Sequence, residues 1–316
     1  MDATPWVRLP EGAESGVGGG EPAPMRVGPA TFRWGERTHV MGIVNVTPDS
    51  FSGDGLLSGD GSGRAGRALD VVNAAVELAR RQAAEGADIL DVGGESTRPG
   101  HETLSVAEEL DRVVPVIEAL KAALPGTPLS VDTTKTDVAR AALDAGADMI
   151  NDVWGVAAEP GLLALAAERG VPIALMHNRA EARYANVVGE VVTDLERAIE
   201  AAAAAGVDRS MIIVDPGIGF GKTPEQNLAV LHDLGLLRVL GRPVLVGISR
   251  KSTIGRVLDL PADQRIEGTL ATTALAVAAR ADIVRVHDVQ ANVRAARMAD
   301  AVVRGAPAHL RSAAGA

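Results

Sequence analysis

The sequence predicts a single-domain α/β protein of the (β/α)8 TIM-barrel type, carrying an N-terminal hairpin and a disordered leader. Three observations lead there. Strand-like and helix-like segments alternate along the chain, eight short apolar runs recur with hardly any charge, and polar residues follow each run. Alternation implies parallel strands joined by right-handed crossovers. Eight nearly uncharged strands suit closure into a barrel, and an open doubly wound sheet is the competing arrangement.

The elements come in order. Residues 1–30 are rich in Gly, Pro and Ala and poor in apolar periodicity, which marks a flexible leader. Thr31 to Trp34 and Thr38 to Met41, separated by Gly35-Glu36, read as a hairpin leading into the first core strand. Strands are predicted at Val40–Val46, Ile89–Val92, Leu129–Val131, Met149–Ile150, Ile173–Met176, Met211–Val214, Val244–Gly247 and Ile283–Val286. Helices are predicted at Ala65–Glu85, Val106–Ala123, Val138–Ala145, Gly161–Arg169, Glu190–Ala205, Pro224–Leu231, Arg265–Arg280 and Val289–Val303. Glycine follows several helices, as in Gly86-Ala87-Asp88 and Gly146-Ala147-Asp148, where it suits the left-handed turn after a helix end. The barrel is assigned to residues 31–308 and a C-terminal tail to 309–316.

Composition narrows the function. Of 316 residues, 47% are hydrophobic and 23% charged, enough apolar surface for one large core. A net charge of −10 argues against a nucleic-acid partner, because such binding needs Lys/Arg patches that neutralise phosphates. With no cysteine, thiolate catalysis, disulfides and Cys-ligated metals are excluded. The sequence holds no run long enough to span a bilayer and no signal-peptide pattern, so a cytoplasmic protein without a membrane partner is expected.

Barrel enzymes place their chemistry at the C-terminal ends of the strands. There this sequence carries Asn45, the loop Gly93 to Gly100, Asp132, Asn151-Asp152, Met176-His177, Asp215, Ser249 to Ser252, and Arg285 with His287. Any one Asp or Asn reads equally well as a helix cap or turn residue. Eight coinciding on one rim are harder to assign to capping, although His177 reads better as structural. Arg285, His287, Arg98, Ser96 and Thr97 form a donor set suited to a phosphate or diphosphate. Asp132, Asp215 and Asn151 complement a flat heterocycle with an amidine-like edge, a base or a pterin. The run Pro216 to Thr223 lacks the first glycine of a P-loop, and Lys222-Thr223 reads as a helix start with Pro224 in its first turn.

Six motifs carry a resemblance: Asn45-Val46-Thr47-Pro48-Asp49-Ser50-Phe51, Gly93-Gly94-Glu95-Ser96-Thr97-Arg98-Pro99-Gly100, Val131-Asp132-Thr133, Ile150-Asn151-Asp152, Asp215 through Lys222, and Ser249-Arg250-Lys251-Ser252. In order and spacing they resemble the dihydropteroate synthase family of pterin-binding barrels. The resemblance implies condensation of 6-hydroxymethyl-7,8-dihydropterin diphosphate with para-aminobenzoate, a step of folate biosynthesis. It implies pterin contacts from Asp132, Asn151, Met176, Asp215, Phe220 and Lys251, with Asp132, Asp215 and Lys251 as the catalytic set. It further implies Mg2+ on Asn45, diphosphate on Asn45, Thr97, Arg285 and His287, and aminobenzoate among Ser50, Phe51, Arg98, Pro99, Lys251 and Ser252. Sulfonamide inhibitors and a homodimer are also implied. Asn178 and Thr253 depart from the family pattern, where Met and a bulky residue are frequent. A pterin-dependent methyltransferase and a non-catalytic pterin-binding paralogue are the alternatives. The Thr47 to Phe51 and Thr97 to Gly100 loops favour the synthase over the methyltransferase.

Overall fold

The computed structural model describes residues 21–46, 64–95, 104–155, 160–307 and 310. A small antiparallel hairpin, β1 (Met25–Val27) and β2 (Ala30–Phe32), precedes eight parallel strands. These are β3 (His39–Asn45), β4 (Ile89–Gly93), β5 (Leu129–Asp132), β6 (Met149–Asp152), β7 (Ile173–Met176), β8 (Ile212–Asp215), β9 (Leu245–Val246) and β10 (Ile283–Val286). The sheet order is β8-β7-β6-β5-β4-β3-β10-β9, and a parallel bridge from Val214 to Val244 joins its two edges. That closure makes it a barrel, as the alternation predicts.

Helices α1 (Arg64–Glu85), α2 (Val106–Ala123), α3 (Thr136–Asp144), α4 (Pro160–Arg169), α5 (Val187–Ala204), α6 (Pro224–His232), α7 (Ser252–Leu258), α8 (Ile266–Ala278) and α9 (Val289–Val303) lie among the described residues. Strand residues facing outward, such as Val44, Val92, Val131, Ile150 and Val284, pack with helix residues such as Val113, Ile117 and Leu195. Inward-facing Met41, Ile89, Met149, Ala174, Ile213, Leu245 and Ile283 form a separate cluster with the hairpin's Met25, Val27 and Phe32 and with Trp34. Side chains that alternate along each strand therefore build two cores, one inside the barrel and one around it.

The hairpin differs from its prediction. Its strands pair across Gly28, at φ +52°, rather than across Gly35, so β1 falls within residues assigned to the leader. The cause is the Gly28-Pro29 turn, where a left-handed glycine reverses the chain earlier. Thr38 to Met41 consequently belongs to the barrel, and the hairpin closes the barrel's lower end. Phe32 and Trp34 stack with ring centroids 5.7 Å apart and both meet His39 edge-on.

The X-Ala-Asp turns at that end do more than end helices. Asp88, Asp148 and Asp282 each accept a 2.9 Å hydrogen bond from the backbone N–H of a neighbouring strand's start, at Val40, Leu129 and Val244 respectively. Gly86 and Gly146 precede two of them at φ +104° and +112°. Arg280 takes the same left-handed place in the third, at φ +66°.

Candidate active site

Two residues above the inner apolar layer, the same alternation delivers a second ring: Ile43, Asp91, Asp132, Asn151, Met176, Asp215, Gly247 and Arg285, one from each strand or its end. Each stands two residues beyond the inward Met41, Ile89, Ser130, Met149, Ala174, Ile213, Leu245 or Ile283. Six of the eight side chains are polar or sulfur-bearing and one position has none. A Cβ at Gly247 would lie 3.8 Å from Arg285 Cβ and 3.9 Å from Lys251 Nζ, so glycine keeps the space beside both cations open.

Arg285 ties the acidic side of the ring together. Its Nε donates to Asp91 Oδ2 at 2.6 Å and its Nη2 to Asp132 Oδ2 at 2.5 Å, while Asn151 Nδ2 donates to the same Asp91 oxygen at 3.0 Å. Burial works against the guanidinium charge, but Asp91 and Asp132 more than offset it and hold its pKa above normal. Burial pushes the Asp132 carboxyl up to about 7 against the pull of Arg285, with Asp91, Glu109 and Asp152 pushing the same way. The second oxygen of Asp132 is buried without a hydrogen-bond partner among the described residues, an acceptor awaiting a donor. Asp91 was not singled out from the sequence. Its signal in the sequence is a carboxylate inside an apolar strand, two residues after an inward Ile89.

The opposite side is built by the loop after β8. Asp215 Oδ1 accepts from Gly217 N–H at 2.7 Å, and burial raises this carboxyl's pKa while Lys251 opposes the rise. Gly217 sits at φ +66°, and a Cβ there would meet the His177 carbonyl oxygen at 1.9 Å, so only glycine allows the turn. The turn brings the Ile218 carbonyl to Lys251 Nζ and the Phe220 ring under it, 4.3 Å from nitrogen to centroid. Burial depresses the Lys251 pKa to about 8.

Lys222 fastens that loop from behind. Its Nζ reaches His177 Nδ1 at 2.9 Å, the Gly217 carbonyl at 3.0 Å and the Phe220 carbonyl at 3.1 Å. A cation on Nδ1 leaves the proton on Nε2, which faces Asp194 Oδ2 at 3.2 Å. Burial, then the Lys222 charge, lowers the His177 pKa to about 4, and burial lowers that of Lys222 to about 7. His177 is thus turned away from the mouth, as its structural reading expected. Asp152 also points outward, capping the Trp154 N–H at 3.0 Å, so the rim residues do not all share one face. Thr223 and Gln226 form a capping box with Pro224 in the first turn of α6, as the sequence implied for this segment.

The chain matches the pterin binding enzyme family over residues 41–287. The dihydropteroate synthase of Clostridium beijerinckii is 47% identical over 281 residues, covering 89% of this chain and 100% of the relative. The crystal structure of dihydropteroate synthase from Clostridium difficile in the presence of pteroic acid aligns with TM-score 0.80 at 45% identity, covering 86% of this chain and 99% of the other. The Yersinia pestis dihydropteroate synthase in a sulfonamide drug complex aligns at 0.79 with 38% identity, covering 89% and 99%.

The chain belongs to the dihydropteroate synthase family.

For a dihydropteroate synthase, the remaining positions fall as follows. Asn45 ends β3 at the mouth, in register with Gly93. His287, two residues beyond Arg285 at the end of β10, places Nδ1 3.1 Å from Ser249 Oγ. Ser252 opens α7, a seven-residue helix that is not among those the sequence predicts. Ser50, Phe51, Thr97, Arg98 and Pro99 lie outside the described residues. Of the two departures from the dihydropteroate synthase pattern, one is accommodated by a hydrogen bond: Asn178 Nδ2 donates to the Val153 carbonyl at 3.2 Å, tying the β7 loop to the β6 loop. Thr253 is 2% exposed, and its hydroxyl has no hydrogen-bond partner among the described residues. Among the described residues no group of three or more His, Asp or Glu side chains could hold a metal ion. No helix among the described residues is long and apolar enough to cross a membrane.

Proposed function

We propose that this chain condenses 6-hydroxymethyl-7,8-dihydropterin diphosphate with para-aminobenzoate, releasing 7,8-dihydropteroate and diphosphate. The observation that supports it above others is the pairing in one ring of Arg285 with Asp91 and Asp132, across from Asp215 and Lys251. Breaking the carbon–oxygen bond sends an electron pair to the diphosphate and leaves positive charge on the pterin methylene and ring. Catalysis therefore needs cationic donors aimed at the leaving oxygens and carboxylates near the ring, and this site offers both, with Arg285 paired to Asp91 and Asp132 and Lys251 close to Asp215, held in place before the charge develops.

Asp132, Asn151 and Asp215 accept and donate hydrogen bonds along the pterin edge, and Met176 and Phe220 pack near its faces. Lys251 sits between pterin and aminobenzoate. Arg285, His287 and Thr97 take the diphosphate as it leaves. Asn45 would hold Mg2+, which when bound would supply further charge neutralisation to the leaving group. The aryl amine then attacks the methylene carbon, forming the carbon–nitrogen bond and losing its proton to solvent or a site carboxylate. Ser50, Phe51, Arg98, Pro99 and Ser252 surround the aminobenzoate on the strength of the family resemblance, and a sulfonamide competes for that pocket.

Turnover is tested with the two substrates and Mg2+, following diphosphate release and dihydropteroate formation. Sulfonamide inhibition is expected to be competitive with para-aminobenzoate. No diphosphate release above the enzyme-free rate would reject the function.

A further inference from the structure

We propose that Asp91 is the positioning residue of this site, holding the diphosphate-binding Arg285 and the pterin-binding Asn151 in one frame so that both halves of the substrate are bound in register. The inference rests on the function proposed above and adds a residue to it.

Asp91 lies on β4. In the sheet order, Asn151 on β6 is two strands away on one side and Arg285 on β10 is two strands away on the other. Among the described residues, the Asp91 side chain is the one group through which these two are hydrogen-bonded together, at 3.0 Å and 2.6 Å, and both bonds end on Oδ2. A carboxylate without a proton only accepts, so it fixes which way the Asn151 amide faces: Nδ2 is turned to Asp91, and Oδ1 is left for an N–H of the ligand. The same bond fixes the plane of the Arg285 fork. With Nε on Asp91 and Nη2 on Asp132, the guanidinium cannot swing, and Nη1 is the amino group left for an anion.

Packing gives no independent reason for an acid here. The neighbouring strand fills the paired ring position with Ile43, and a buried carboxylate is expensive unless it is paired and hydrogen-bonded. Asp91 is 0% exposed and keeps one oxygen without a partner among the described residues. An apolar side chain would fill the space at lower cost but would release both Arg285 and Asn151.

The test uses Asp91→Asn, which keeps the shape and removes the charge. Calorimetry on the full chain should show affinity for the pterin diphosphate reduced on the order of tenfold, about 1.4 kcal/mol, as Arg285 and Asn151 lose their fixed orientation. The KM for para-aminobenzoate should stay close to that of the wild type. In an Arg285→Met background, Asp91→Asn should lose the part of its effect that runs through Arg285, leaving on the diphosphate substrate only the penalty it imposes on 6-hydroxymethylpterin without diphosphate, which engages Asn151. An unchanged affinity, or an equal penalty with and without Arg285, overturns the proposal. Should Asp91→Asn not fold, the wild type decides. The Arg285 Nε–H resonance, assigned by its loss in Arg285→Lys, is expected to be protected from solvent exchange both before and after diphosphate binds, and rapid exchange in either state overturns the proposal. Because these readouts are binding and exchange, they separate from the turnover assay that tests the reaction itself.

Discussion

Replacing Lys222 with Met tests whether the loop after β8 is held from behind. The change removes a nitrogen bonded to His177 Nδ1 and to the carbonyls of Gly217 and Phe220, at 2.9, 3.0 and 3.1 Å. Each buried acceptor left without a donor costs roughly 1–3 kcal/mol. Against that stands the relief of no longer burying an ammonium group, a burial strong enough to bring its pKa to about 7. The balance is a loss of about 2–4 kcal/mol, which lowers the melting temperature of a domain this large by roughly 3–7 °C. The functional consequence follows from what the loop carries. With the Phe220 carbonyl and the Gly217 turn released, Lys251 loses the Ile218 carbonyl and the Phe220 ring that seat it. The KM for the pterin substrate should rise on the order of tenfold, about 1.4 kcal/mol. Thermal unfolding and steady-state kinetics on the same preparation decide the matter. A variant with wild-type melting refutes the cage as a structural element, and one that melts early but keeps its pterin KM refutes its link to the site.

Other perturbations address separate parts of the structure. Arg280→Gly should stabilise the chain by about 0.5–1 kcal/mol, because Arg280 adopts φ +66° where the two equivalent turns have glycine; urea unfolding that shows a loss would contradict this. Asp132 has a folded pKa of about 7 against 3.8 for the free carboxyl. The folded state thus holds the extra proton in between, and stability should fall as pH rises through that window. Asp132→Asn should flatten the slope in denaturant titrations at a series of pH values, and an unchanged slope would assign it elsewhere. Arg285→Ala should weaken pterin diphosphate binding by roughly 2–5 kcal/mol, since it also strands the Asp91 and Asp132 charges. Calorimetry returning wild-type affinity would remove Arg285 from the diphosphate site.

Much of this was legible in the sequence because barrel strands write their rules in short periods. The eight strands and most helix bounds follow from apolar runs and the Gly-Ala-Asp turns, and the polar strand ends marked the mouth. Asp91 escaped because it lies within a strand, where only counting alternate residues from Ile89 reveals that it faces inward. Lys222 was read as a helix start, which Thr223 and Pro224 bear out, but its burial against His177 depends on a tertiary contact between two loops 45 residues apart. Helix α7 was missed because seven residues give too few turns for periodicity to register. The hairpin was displaced because two glycine turns, at Gly28 and Gly35, compete on local chemistry, and burial of Met25 and Val27 under the barrel decides between them.

That buried hairpin gives the molecule a floor. With Met25, Val27, Phe32 and Trp34 packed beneath the inner layer, the described residues fill the barrel from that end, and the polar ring faces the opposite one. A pterin seated deepest, against Asp132 and Asn151, would then be first to arrive, and as part of the product would be the last to go. The traffic of a two-substrate reaction would be ordered by architecture alone, before any difference in affinity is considered.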